Sequence, residues 1–267
     1  FYPCMGYSFA SSAHNNDTST NNYNCPVVAY YPELLNANVD RLREVRFLYP
    51  YFGLHKKDEF FSKSLEFFKK ELGASKGEFK KALERAYTFR EDWLADVQRE
   101  GERNLAYIKE HNLKAIVLSG RPYHIDPEIN HGIDKLINSL GLVVLSEDSI
   151  AHLATAKNLQ ILNQWSYHSR LYNAAEFVCE HENIELVQLV SFGCGIDSIT
   201  TDEVRAILES RGRFYTQLKI DEISNLGAVK IRIRSLLGAM EEKLSGKKPS
   251  FAQSILFHNT YAQNLWH

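Results

Sequence analysis

Four cysteines carry the most consequential chemistry in this chain: Cys4, Cys25, Cys179 and Cys194. No CxxC pair occurs among them, so spacing alone does not announce a metal site. Their number is even, but a chain of 267 residues does not need disulfides for its stability. Cys4 follows Pro3, and Cys25 precedes Pro26, which pushes Cys25 out of helical geometry. Cys194 is bracketed by Gly193 and Gly195, which free the backbone for a turn or a close approach. A helix should start near Thr200, and its N-terminal dipole would favour a thiolate if aimed at the sulfur. Such a sulfur is a metal ligand, a nucleophile, a redox thiol or an inert turn residue. Iron–sulfur clusters take thiolates from loops, because loops can converge on a cube, and Cys4, Cys25 and Cys194 all lie in loops. Cys179 follows Ala175 and Phe177 in a helical stretch and reads as a packing residue.

Two further loops offer polar chemistry. Residues 119–126 hold Arg121 and His124, with His131 a turn or two beyond. Arg121 suits a phosphate or carboxylate if it faces the start of the next helix. His124 suits acid–base work or a metal. The plainer reading pairs Arg121 with a nearby carboxylate and leaves the histidines on the surface. Asp221 and Glu222 follow a strand, where carboxylates either exchange protons or cap the next helix; capping is the expected role. Neither GxxxxGK[ST] nor GxGxxG occurs, so nothing marks an ATP or dinucleotide site.

The elements that must hold these loops fall into two halves. Residues 1–111 form a cysteine-bearing, mainly helical region. Its first 56 residues are irregular, with a polar stretch over 11–24 and a possible short strand over 45–48. Apolar spacing then predicts a helix ending at Gly73 and a longer one through Ile108. From Lys114 strands and helices alternate. Strands are expected over 115–118, 142–145, 186–190 and 215–220. Helices are expected over 127–139, 158–181, 201–210 and 225–244, the first capped by Asp126 with Pro127 behind it and the third opened by a capping box at Thr200–Glu203. This alternation predicts an α/β fold, a Rossmann-like doubly wound parallel sheet of about four strands, over 112–246. Residues 247–267 read as a C-terminal extension. In such a sheet sites form beyond the carboxyl ends of the strands, so the three loops should share one surface. The basic stretch Lys230, Arg232 and Arg234 reads as a solvated helix face.

Composition narrows the partners. A formal charge of -2 argues against a broad grip on nucleic acid. No apolar run reaches the ~18–20 residues that span a bilayer, and no secretory signal is visible, so a cytoplasmic location is expected.

At these same loops the sequence resembles a known family. The strings GRPYHIDPEINHGID (120–134), SFGCGIDSITTDEV (191–204) and LKIDEISNLGAVKIRIRSL (218–236) are similar to the uncharacterised domain of the large CoA-substrate-specific enzyme activases, also called 2-hydroxyglutaryl-CoA dehydratase activator-like proteins. FYPCMGYSF (1–9) and NYNCPVVAYYPE (22–33) fit the same domain, and the five strings occur in order over most of residues 1–245.

The resemblance implies a long polypeptide of anaerobic metabolism, with ATPase-type activator domains and a dehydratase-like region of Rossmann-like units. Activators of this kind hydrolyse ATP and pass a low-potential electron to a dehydratase through [4Fe–4S] clusters. This chain carries no ATPase signature and so resembles the dehydratase-like part. The ligand candidates the resemblance implies are Cys4, Cys25 and Cys194, each inside a matching string; Cys179 is outside the pattern. The implied partners are other domains of the same polypeptide, including an ATPase activator domain, and a CoA thioester. The alternatives are a structural or docking domain without a cluster, and a phosphate- or CoA-binding module using Arg121 and, more weakly, His124.

Overall fold

The computed structural model describes residues 1–11, 18–191, 193–220 and 226–244. The Asp221–Glu222 loop and the extension at 247–267 lie outside these residues.

The second half forms as its periodicity predicts. Four strands, β3 (Ala115–Ser119), β4 (Val143–Ser146), β5 (Ile184–Val190) and β6 (Tyr215–Lys219), make one sheet in the order β4-β3-β5-β6. All three pairings are parallel. Every residue of β3 and β5 is buried, as expected of central strands covered on both faces. Alternate residues feed two cores. Ala115, Val117, Leu186 and Ile184 pack with Tyr172 and Val204. Ile116, Leu118, Val187 and Leu189 pack with Ile133 and Ile233. The first core is closed by α7 (Ser166–Cys179) and α8 (Gly195–Ser210), the second by α5 (Ile133–Ser139) and α9 (Gly227–Leu244). The fold is α/β and Rossmann-like. Because the connection after β3 goes to one face and that after β5 to the other, a crevice opens between the ends of these two neighbouring strands.

Three helix boundaries differ from expectation. The 127–139 helix is broken into α4 (Pro127–Asn130) and α5, because His131 and Gly132 take left-handed backbone (φ 55° and 80°). Asp126 does cap α4, accepting from Glu128 N–H at 2.9 Å. The 158–181 helix is only α7; the chain before it holds a short helix, α6 (Glu147–Ile150), and irregular backbone. Finally, α8 starts at Gly195 with Cys194 as its N-cap. Thr200 is therefore interior, and its hydroxyl donates to Ile196 O at 2.9 Å in place of capping.

In the first half, α1 (Pro26–Asn38) has Cys25 as an extended N-cap. Two strands, β1 (Cys4–Tyr7) and β2 (Tyr51–Gly53), pair in parallel. Residues 45–48 are not a strand, although Leu48 O and Pro50 O already accept from Tyr2 and Cys4 N–H at 2.8 Å. Helix α2 (Lys57–Leu72) ends at left-handed Gly73, as predicted, and α3 (Lys76–Glu110) opens with a Ser75–Glu78 capping box. Phe52, Phe60, Phe67 and Phe68 fill this half with ring pairs, with Phe52 buried. No described helix is long and apolar enough to cross a membrane.

Candidate functional site at the rim of the parallel sheet

The loops leaving β3 and β5 meet in the crevice, where a doubly wound sheet receives its ligands. After β3 the chain passes Gly120, where a Cβ would overlap the His124 ring; only glycine lets this turn close. The short turn Pro122–Ile125 then folds His124 back, so that its Nδ1 accepts Arg121 N–H at 3.1 Å. With Nδ1 accepting, Nε2 carries the proton and faces Ser191 Oγ at 3.3 Å. Burial, reinforced by the Arg121 charge, pushes His124 down to about 3. It is a neutral link between the two loops.

Arg121 is the hub. Its Nη2 donates to Cys194 Sγ at 2.8 Å, its Nη1 to the Tyr123 hydroxyl, and it forms an ion pair with Asp197. Burial disfavours the guanidinium, but Asp197, Tyr123 and Cys194 outweigh it and hold its pKa above the ordinary value. Asp197 locks the second loop as well: its Oδ2 accepts Ser191 N–H at 3.0 Å, and its own N–H donates to Cys194 O at 3.0 Å. It lies in the first turn of α8, where a carboxylate complements the helix dipole. Gly193, at φ 76°, makes the turn that presents the sulfur.

Behind this network sits a layer of polar atoms without protein partners among the described residues. Ser119 Oγ, Arg121 Nε and both ring nitrogens of His168 are among them. His168, on α7, is buried and pushed down to about 4 by burial and then by the Arg121 charge. Buried polar atoms are ordinarily hydrogen-bonded, to protein or to ordered water.

The sequence-predicted residues thus divide. Arg121, His124 and Cys194 come together. His131 is exposed at the helix break. Cys179 packs at the end of α7 with Sγ 3.7 Å from Ile207 O. Cys4 is buried in β1, and Cys25 stands half-buried at the start of α1. Their segments do reach toward the rim. Asn24 N–H donates to Gly6 O at 3.1 Å, and Tyr23 exchanges hydrogen bonds with the chain entering α7, next to Trp165 and His168. Asp197, Ser191 and His168 were not singled out from sequence. An acidic residue three beyond Cys194 in a Gly-opened helix is the signal that marks Asp197.

A family model described as the CoA enzyme activase uncharacterised domain matches residues 1–150. The chain belongs to this family. No curated protein matches. The match to the activase domain takes in β3 and the Arg121–His124 loop and stops before β5 and Cys194.

The cluster that the family resemblance implies can be tested against these positions. Among the described residues, no group of three or more His, Cys, Asp or Glu stands close enough to hold a metal. Burial, followed by Glu33, raises the Cys4 pKa, which favours the neutral thiol over the ligating thiolate. In this arrangement Cys4, Cys25 and Cys194 do not form one cluster site.

Proposed function

We propose that this activase domain is the dehydratase-like part of its polypeptide and that Cys194 is its working thiol, one ligand of a [4Fe–4S] centre serving electron transfer to, or reductive dehydration of, a CoA thioester. The supporting observation is the 2.8 Å contact of Cys194 Sγ with buried Arg121 at the switch point of the sheet. Charge and hydrogen bonds at a ligating sulfur are the means by which a protein tunes such a centre. The domain's partners are an ATPase activator domain of the same polypeptide and the thioester, in a reducing cytoplasm. A phosphate or CoA pyrophosphate at Arg121 would have to displace the Asp197 carboxylate, which favours the cysteine reading over an anion site.

Anaerobic reconstitution with iron and sulfide tests this. The expected result is about four iron and four sulfide per chain, retained in Cys179→Ser and sharply reduced in Cys194→Ser. Colourless protein without iron, or full retention in Cys194→Ser, overturns the proposal.

A further inference from the structure

Helix α1 presents an apolar face to solvent. Its sequence, PVVAYYPELLNAN, holds a single charged residue, Glu33, and buries only Ala29 and Pro32. A helix on a protein surface ordinarily turns its apolar stripe to the core and its polar residues outward. Here Val27, Val28, Tyr30, Tyr31 and Leu34 are all about half exposed. Rings extend the face sideways. Tyr2 stands 6.4 Å from Tyr31 and Tyr51 stands 6.2 Å from Tyr30, centroid to centroid, and both are themselves about half exposed.

Four of these residues form a seam. Val27, Tyr30, Tyr31 and Leu34 stand at i, i+3, i+4 and i+7, the spacing with which one helix packs on another. The seam reads the same in both directions: aliphatic, ring, ring, aliphatic. Laid antiparallel on a copy of itself, it sets Val27 of one copy against Leu34 of the other, with the tyrosines meeting at the axis. Such self-complementarity is what a two-fold interface requires.

We propose that α1 is the two-fold interface of a homodimer, its seam packed antiparallel on the α1 of a second copy of this chain. Size supports this: the seven half-exposed side chains present roughly 600 Å² per copy, so that a pair buries about 1,200 Å², enough for a stable specific interface. Composition supports it too, because homodimer interfaces are more apolar than the surfaces of transient partners and are rich in tyrosine. Antiparallel packing opposes the two helix dipoles and keeps the two Glu33 carboxylates at opposite ends of the seam. This inference does not rest on the cluster or on Cys194.

The test is sedimentation velocity of the whole chain over a concentration series. A species of twice the 30.7 kDa chain mass is expected at micromolar concentration. Val27→Glu puts a charge into the seam at the start of α1, where a carboxylate suits the helix dipole. It should raise the dimer dissociation constant by about tenfold or more, with the circular dichroism spectrum of the folded chain preserved. If Val27→Glu does not fold, Leu34→Glu takes its place, with the same effect expected. Phe89→Glu, at a 74% exposed position on α3, is the control and should leave the dimer intact. A monomer at every concentration overturns the proposal and leaves the face to residues 245–267 or to another protein. A dimer undiminished in the folded seam variant, or weakened equally by Phe89→Glu, overturns it as well.

Discussion

Two cysteines from matching strings occupy opposite kinds of surroundings. Cys4 is sealed in the aromatic half, 1% exposed, on a strand whose sheet has two members. Cys194 caps a helix at the rim of a four-stranded sheet, with a buried guanidinium donating to its sulfur. The first environment removes water and sets the Glu33 carboxylate nearby, so it favours a neutral thiol. The second supplies a cation, a helix start and an open crevice. What a cysteine can do is decided by its position relative to the switch point of a sheet, and the neighbouring proline or glycine alone does not reveal it.

The comparison is broken most directly at Asp197. Its carboxylate and the Arg121 guanidinium are each about nine-tenths buried. Removing one member of such a pair strands a buried charge, and Asp197→Ala should cost about 3–5 kcal/mol in urea unfolding. In the first half Arg43–Asp40 is a pair at the surface, 70% and 91% exposed, and Asp40→Ala should change stability by less than about 1 kcal/mol. Equal costs would mean that the rim network does not lock the two loops.

Much of the sheet was legible in the sequence because its signals are local. Short apolar runs at Ala115 and Leu186, separated by helix-length segments, leave few alternatives to a parallel layer. The helix break at His131 was not legible, since Asn130 side-chain acceptance from Gly132 and Ile133 N–H is what stabilises it. Strand β1 was missed because its partner lies over forty residues away and its burial comes from α1 and the aromatic core. At the site, Arg121 and Cys194 were found by residue type and loop position. Their contact, 73 residues apart in the chain, follows from strand order, which periodicity does not encode. His168 sits in the first turn of α7, and nothing local distinguishes it from a core histidine.

A second test addresses how firmly the halves are joined. Gly101 of α3 lies against Ser149 of α6, and a Cβ there would overlap the Ser149 carbonyl oxygen. Backbone cannot step aside as a flexible side chain does, so Gly101→Ala should cost about 1–3 kcal/mol through overpacking. A neutral result would show that α3 slides freely on the sheet domain.

The two ends of the sheet should also respond to pH with opposite sign. At the rim, the unfolded chain protonates His124 near its ordinary 6.5, while the folded chain refuses the proton until about 3. His124 therefore contributes stability that is present above 6.5 and lost as pH falls through that window. At the start of β5, burial raises Glu185 to about 7, partly offset by Arg213 and Lys243. The folded chain keeps a proton that the unfolded chain releases near 4.5, so this contribution is lost as pH rises from 4.5 to about 7. Urea midpoints across this range should show the gap between wild type and His124→Gln closing as pH falls. The gap for Glu185→Gln should close as pH rises. Parallel slopes would show that the two groups do not differ in protonation as their surroundings dictate.

The smallest effect expected is a gain, and it separates glycines the fold needs from one it tolerates. Gly120 and Gly101 are fixed by close approach, whereas Gly238 lies inside α9 with nothing within 4 Å of a Cβ. A helix-interior glycine gives up more backbone freedom on folding than alanine does, so Gly238→Ala should raise stability by about 0.5–1 kcal/mol. Because α9 covers the sheet face away from Cys194, the gain should leave the reactivity of the Cys194 thiol toward a disulfide reagent unchanged. A change in that reactivity would mean that the packing of α9 reaches the rim through the sheet, and the comparison between the two cysteines would then have to include the second core.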